Sequence, residues 1–128
     1  MLPECVLGVV SMEQTFVVKL KENEELLSGI KRVCRRKAVK RGVVIAIGAL
    51  KEAKLRYFVA PGKREMVEMN KQVEALLFGT INTKNGGTTI HTHIVLGDKR
   101  EKAVVGHLVE GAINPEAEII ILPLSVEG

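Results

Sequence analysis

The run Thr89-Ile90-His91-Thr92-His93-Ile94-Val95-Leu96 alternates with the period of a strand, and that period constrains the chain more than any other feature. Side chains two apart on a strand share a face. His91 and His93 therefore project together, with Thr89 and Val95, while Ile90, Ile94 and Leu96 line the opposite side. The isoleucine side reads as core. The histidine side reads as an interface, a cleft or a ligand site.

The remaining histidine, His107, lies in Lys102-Ala103-Val104-Val105-Gly106-His107-Leu108-Val109, a second run suited to a strand. Between the two runs, Gly97-Asp98-Lys99-Arg100-Glu101 is polar and short enough to close an antiparallel hairpin. With those residues as the loop, Leu96 pairs with Lys102 and His91 stands directly opposite His107. Facing Cβ atoms are then roughly 4.5–5.5 Å apart, with His93 a diagonal neighbour at roughly 7–8 Å. A slip of one residue would turn His107 to the other face and disperse the cluster.

A chain of 128 residues predicts one domain spanning 1–128 with a single core. Aromatics are only 3% of it, so Val, Ile, Leu and Ala must build that core. Cys5 and Cys34 are far apart and in no C-x-x-C spacing, which points away from a disulfide framework or a thiolate metal site. No basic region precedes a long apolar run at the N-terminus, and Val43 to Leu50 is too short to span a bilayer. The expectation is a cytoplasmic protein with no membrane segment.

Seven basic side chains (Lys31, Arg32, Arg35, Arg36, Lys37, Lys40 and Arg41) and no acid occupy residues 31–41, so the net charge of +4 rests on one segment. Such a patch attracts nucleic acid, or is simply the solvated side of a helix.

The rest of the chain reads mostly as strands. Residues 5–10 make a short one and Thr15 to Leu20 a better one. Asn23 caps a helix whose apolar stripe is Leu26, Leu27, Ile30, Val33 and Cys34, running to about Arg41 with Gly42 as its stop. Val43 to Leu50 suits a strand buried on both faces, and Ala53 to Val59 resumes as a strand before the Pro61-Gly62 turn. Glu65 to Val73 and Glu74 to Asn82 follow as strands, and Lys84-Asn85-Gly86-Gly87 turns into the histidine strand. Glu110 to Pro115 reads as a turn, and Glu118 to Leu122 as a last strand stopped by Pro123. The class is α+β, a largely antiparallel sheet with one amphipathic helix. One helix cannot cover both faces of such a sheet, so association into a dimer or trimer is expected.

These residues resemble a known family. Ala46-Ile47-Gly48-Ala49-Leu50 with Ala53 and Leu55, Phe78-Gly79-Thr80-Ile81, His91-Thr92-His93, and Gly106-His107-Leu108-Val109-Glu110-Gly111 followed by Glu118 are similar to the free-standing form of the PPC domain. This is the "plants and prokaryotes conserved" family, which plants fuse to AT-hook motifs. The resemblance runs from about Phe16 to Leu122. Val105 replaces the first Gly of the family's Gly-Gly-His, the loop at Lys99 to Lys102 lacks a glycine, and Lys19 stands where the family tends to have Arg. The resemblance implies one main helix on an antiparallel sheet, a homotrimer, and a metal held by the three histidines.

Three neutral imidazoles suit Zn²⁺ or another divalent transition metal, and three protein ligands leave a fourth position for water or a small molecule. Glu118 is a candidate to accept the second N–H of a ligating histidine or to act as a general base. The competing interpretation is a set of hydrogen-bonded neutral histidines at a subunit contact. A different class of function is nucleic-acid binding through Lys31, Arg32, Arg35 and Arg36. Against it, the chain has no Arg-Gly-Arg-Pro hook for the minor groove and no interleaved aromatics for stacking.

Overall fold

A computed structural model describes residues 9–12, 14–100 and 103–127. The elements in order are β1 (Val9–Met12), β2 (Phe16–Lys21), α1 (Leu26–Arg36), β3 (Arg41–Ala60), β4 (Lys63–Met69), β5 (Val73–Lys84), β6 (Gly87–Gly97) and β7 (Val104–Glu127). All pairings are antiparallel. The expected strand over residues 5–10 falls partly on residues 5–8, outside the described residues.

The sheet closes on itself. β3 pairs with β5, β5 with β6, β6 with the start of β7, and β7 returns to β3. β4 extends the second half of β3, while β2 and β1 pair in turn with the later part of β7. One core fills the interior, built from aliphatic side chains such as Val44, Leu50, Leu55, Leu77, Ile94, Leu108 and Ile119. α1 adds its buried face, Leu26, Ile30, Val33 and Cys34, to the same cluster. Burial pushes the Cys34 thiol up from its ordinary pKa, which fits a core residue.

The helix starts later and stops earlier than its sequence pattern suggests. Asn23 lies in the left-handed region (φ 72°) and forms a turn; the cap is Glu25. The Glu25 carboxylate accepts from the N–H groups of Leu27 and Ser28, each at 2.9 Å, and from the backbone N–H of Gly111 at 3.0 Å. A residue that anchors the helix to β7 displaces the local capping choice. α1 ends at Arg36, Ala38 turns the chain at φ 54°, and Val39 is buried. Arg41 already belongs to β3, opposite Asn82.

The expected strands at 43–50 and 53–59 form one strand. Adjacent residues Ala49 and Leu50 are both buried there, and the β3–β7 register shifts between Gly48 and Glu52. This bulge inverts the facing: Ile45 and Ile47 point outward before it, Arg56 and Phe58 after it. The expected turn at 110–115 and the stop at Pro123 are likewise absent, and β7 runs through both. Ile113 exchanges backbone hydrogen bonds with Asn23 and Glu24, which keeps that stretch extended. Pro123 falls between Ile121, the last residue of β7 paired with β2, and Leu124, the first paired with β1. A missing N–H is tolerated where a ladder changes partner.

Candidate metal centre

Two glycine positions aim β6. Asn85 and Gly86 both take positive φ (51° and 80°), the geometry of a type I′ hairpin, and bring Lys84 opposite Gly87. Gly79 faces Thr92, and a Cβ at Gly79 would lie 2.6 Å from Thr92 Cγ2 and 2.7 Å from the His91 carbonyl oxygen. The missing side chain lets the histidine strand sit close against β5. Thr92 is buried, while His91 and His93 project from the opposite, exposed face.

The register of β6 and β7 differs by two residues from the sequence expectation. Leu96 pairs with Val104, and His93, not His91, stands opposite His107. At the end of β6, Asp98 accepts from the Arg100 N–H at 2.8 Å and from Lys71 Nζ at 2.9 Å, an Asx-type turn that the hairpin spacing alone does not foresee. Lys102, expected opposite Leu96, lies outside the described residues. A shift of two preserves the face, so all three histidines still converge. Ring centroids are 5.5 Å apart for His91–His93, 5.7 Å for His91–His107 and 6.4 Å for His93–His107. One ring nitrogen from each lies within 4.8 Å of the other two.

His107 is half-buried, and its pKa lies below the ordinary value of 6.5. Burial is the main cause, followed by the Arg56 charge and smaller contributions from His91, His93 and Arg64. The lowered value favours the neutral imidazole, the form that binds metal.

The register extends the site across five strands, in the row Phe78–His93–His107–Arg56–Met66. Arg64 stands opposite Phe58, two residues beyond Arg56 and on the same face. Arg56, Tyr57, Phe58, Arg64, Val105 and Gly106 line a cavity of about 440 Å³ together with the three histidines. The sequence reading missed Arg56 and Arg64. Alternation in Ala53 to Phe58 already puts Lys54, Arg56 and Phe58 on the outer face; only closure of the sheet brings that face to His107.

Glu118 takes a different place. It is exposed, opposite Lys19 on β2 and Ile47 on β3. It belongs to the row Glu118–Ile47–Leu76–Val95, so β3 and β5 lie between it and the histidine strand β6. The basic segment is also divided. Arg32 pairs with Glu24 at 2.5 Å, Lys37 lies over the Phe16 ring at 5.7 Å, Lys31 is half-buried, and Arg35 and Arg36 are exposed.

Fold and site together define a small closed antiparallel sheet carrying a three-histidine group on its outer face. A family model for the Plants and Prokaryotes Conserved (PCC) domain matches residues 8–125, and the chain belongs to that family. Among solved structures it is similar to a plant- and prokaryote-conserved protein of Pyrococcus horikoshii, with 31% identity, a TM-score of 0.86, and coverage of 96% of this chain and 87% of that one. A metal-containing protein of Archaeoglobus fulgidus shares 24% identity at a TM-score of 0.87, covering 97% and 89%. A Bacteroides thetaiotaomicron protein, provisionally described as DNA-binding, shares 24% identity at a TM-score of 0.79, covering 89% and 83%. No curated protein matches the chain. Among the described residues no helix is long and apolar enough to cross a membrane.

Proposed function

We propose that the protein is a homo-oligomeric metal-binding protein in which His91, His93 and His107 hold one divalent transition ion, zinc by preference, and present it to a small molecule. The observation that carries this reading is the convergence of three ring nitrogens within 4.8 Å. A donor set of imidazoles without thiolate or carboxylate suits zinc and related ions. The metal content of the Archaeoglobus neighbour agrees with it. When bound, such an ion polarises a ligand oxygen and makes bound water more acidic. The chain's own part is positional: β5 and β7 fix the backbone on either side of β6, Gly79 keeps β6 close, and burial favours the neutral form of His107.

Ile47, Leu76, Val95 and Val105 form one exposed row across β3, β5, β6 and β7, with 40–55% of each residue accessible. The row adjoins that of Phe78, His93 and His107. A continuous apolar strip of this kind suits contact with further copies of the chain, and we assign it to the trimer contact.

Calorimetric titration of chelator-stripped protein with Zn²⁺ tests the metal reading. One ion per chain is expected for the wild type and none for His107→Ala; equal uptake by both defeats it. A second reading keeps some support: Arg35, Arg36, Lys40 and Arg41 are exposed. Binding to DNA through them would be electrostatic and would collapse as salt rises. DNA binding that persists at high salt with sequence preference would displace the metal reading.

A further inference from the structure

We infer that Arg56 and Arg64 form an oxyanion subsite beside the three histidines, taking the carboxylate or phosphate of a small-molecule ligand. The inference deepens the metal reading above and rests on it for the position of the ligand's other end.

Placement comes first. Arg56 is the β3 partner of His107, so its side chain leaves the sheet on the histidine face. The extra β3 residue between Leu50 and Glu52 is what turns even-numbered residues of β3 outward from there on. Arg64 joins it from β4, its guanidinium carbon 5.9 Å from the centre of the Phe58 ring. That contact gives a long side chain a preferred direction. Both arginines line the 440 Å³ cavity that holds the histidines.

Charge comes second. No Asp or Glu lines this cavity, and among the described residues neither Arg56 nor Arg64 makes an ion pair. Lys54, on the same face of β3 two residues earlier, is by contrast paired with Glu68 and Glu110. A guanidinium stays charged throughout the physiological range, and its planar fork matches carboxylate and phosphate oxygens. Phe58 and Val105 add apolar wall to the cleft. Two unneutralised guanidinium groups next to a cation-binding group leave the cleft strongly positive, and a small anion is what balances it.

Malonate and inorganic phosphate, titrated separately into Co²⁺-loaded protein and into chelator-stripped protein, test the subsite. Calorimetry reads the affinity, and the cobalt absorption bands report whether the anion reaches the ion. Arg56→Gln and Arg64→Gln lie at exposed positions and leave the core untouched. One anion per chain is expected, with each substitution weakening it about tenfold and Co²⁺ uptake unchanged. Tighter malonate assigns the subsite to carboxylates, and tighter phosphate to phosphates. Anion binding equal in all three proteins, or absent from the Co²⁺-loaded wild type, overturns the inference and leaves the metal reading standing. If no Co²⁺ is taken up and the anion still binds through the arginines, the metal reading fails and the subsite stands.

Discussion

His93 and His107 face each other as cross-strand partners of β6 and β7, with ring centres 6.4 Å apart, and His91 completes the group from one side. The site therefore depends on how closely and in what register two strands are held, more than on any loop.

Gly79 holds that spacing. An alanine there would press into Thr92 and the His91 carbonyl, so β6 must shift away from β5. Gly79→Ala should cost about 1–3 kcal/mol of stability. It should also weaken metal binding more than an alanine at exposed Thr80, on the same strand. Chemical denaturation and metal titration of the two variants check this. Equal metal affinity would show that the strand spacing does not matter to the site.

Thr92 carries a buried hydroxyl with no hydrogen-bond partner among the described residues, with 1% of the residue exposed. Thr92→Val keeps the shape and removes the desolvation cost. It should raise stability by about 1 kcal/mol, a melting-point increase of about 4 °C. A lower melting point would mean that the hydroxyl has a partner in solution.

Leu76 lies in the middle of the exposed apolar row. Leu76→Glu should leave the fold intact and lower the mass measured by light scattering to that of one chain, because a carboxylate cannot be buried unpaired at a subunit contact. An unchanged mass would move the contact to another face.

The depressed His107 pKa has a definite sign in stability. Between the lowered value and 6.5, the unfolded chain takes up a proton that the folded chain refuses. Stability is therefore fully present above 6.5 and falls as pH drops through that window. In metal-free protein, the melting temperature of the wild type should decline below pH 6.5 more steeply than that of His107→Gln. Parallel curves would contradict it.

The histidine face was legible in the sequence because a period of two fixes which side chains share a side, whatever their partners. The register was not, because the polar stretch after Gly97 carries no signal that fixes where β7 starts, and Leu96 pairs with Val104 rather than Lys102. The helix stripe was legible, but its cap was not: Glu25 is selected by Gly111, 86 residues away. Pro115 and Pro123 read locally as breaks, yet β7 runs through them because its partner strands shift or change there. Arg56 and Arg64 reach the site only through a closed sheet and a bulge, neither of which leaves a local signal. Glu118, a candidate partner for a ligating histidine or else a surface carboxylate, is exposed on another part of the same sheet.

Elemental analysis of metal per chain, on protein purified without chelator or a polyhistidine tag, tests the central claim most directly. Wild type should carry close to one transition ion per chain, and His91→Ala, His93→Ala and His107→Ala should each carry almost none while keeping the strand signature in circular dichroism. Folded wild-type protein without metal, or variants that retain it, would contradict the three-histidine centre.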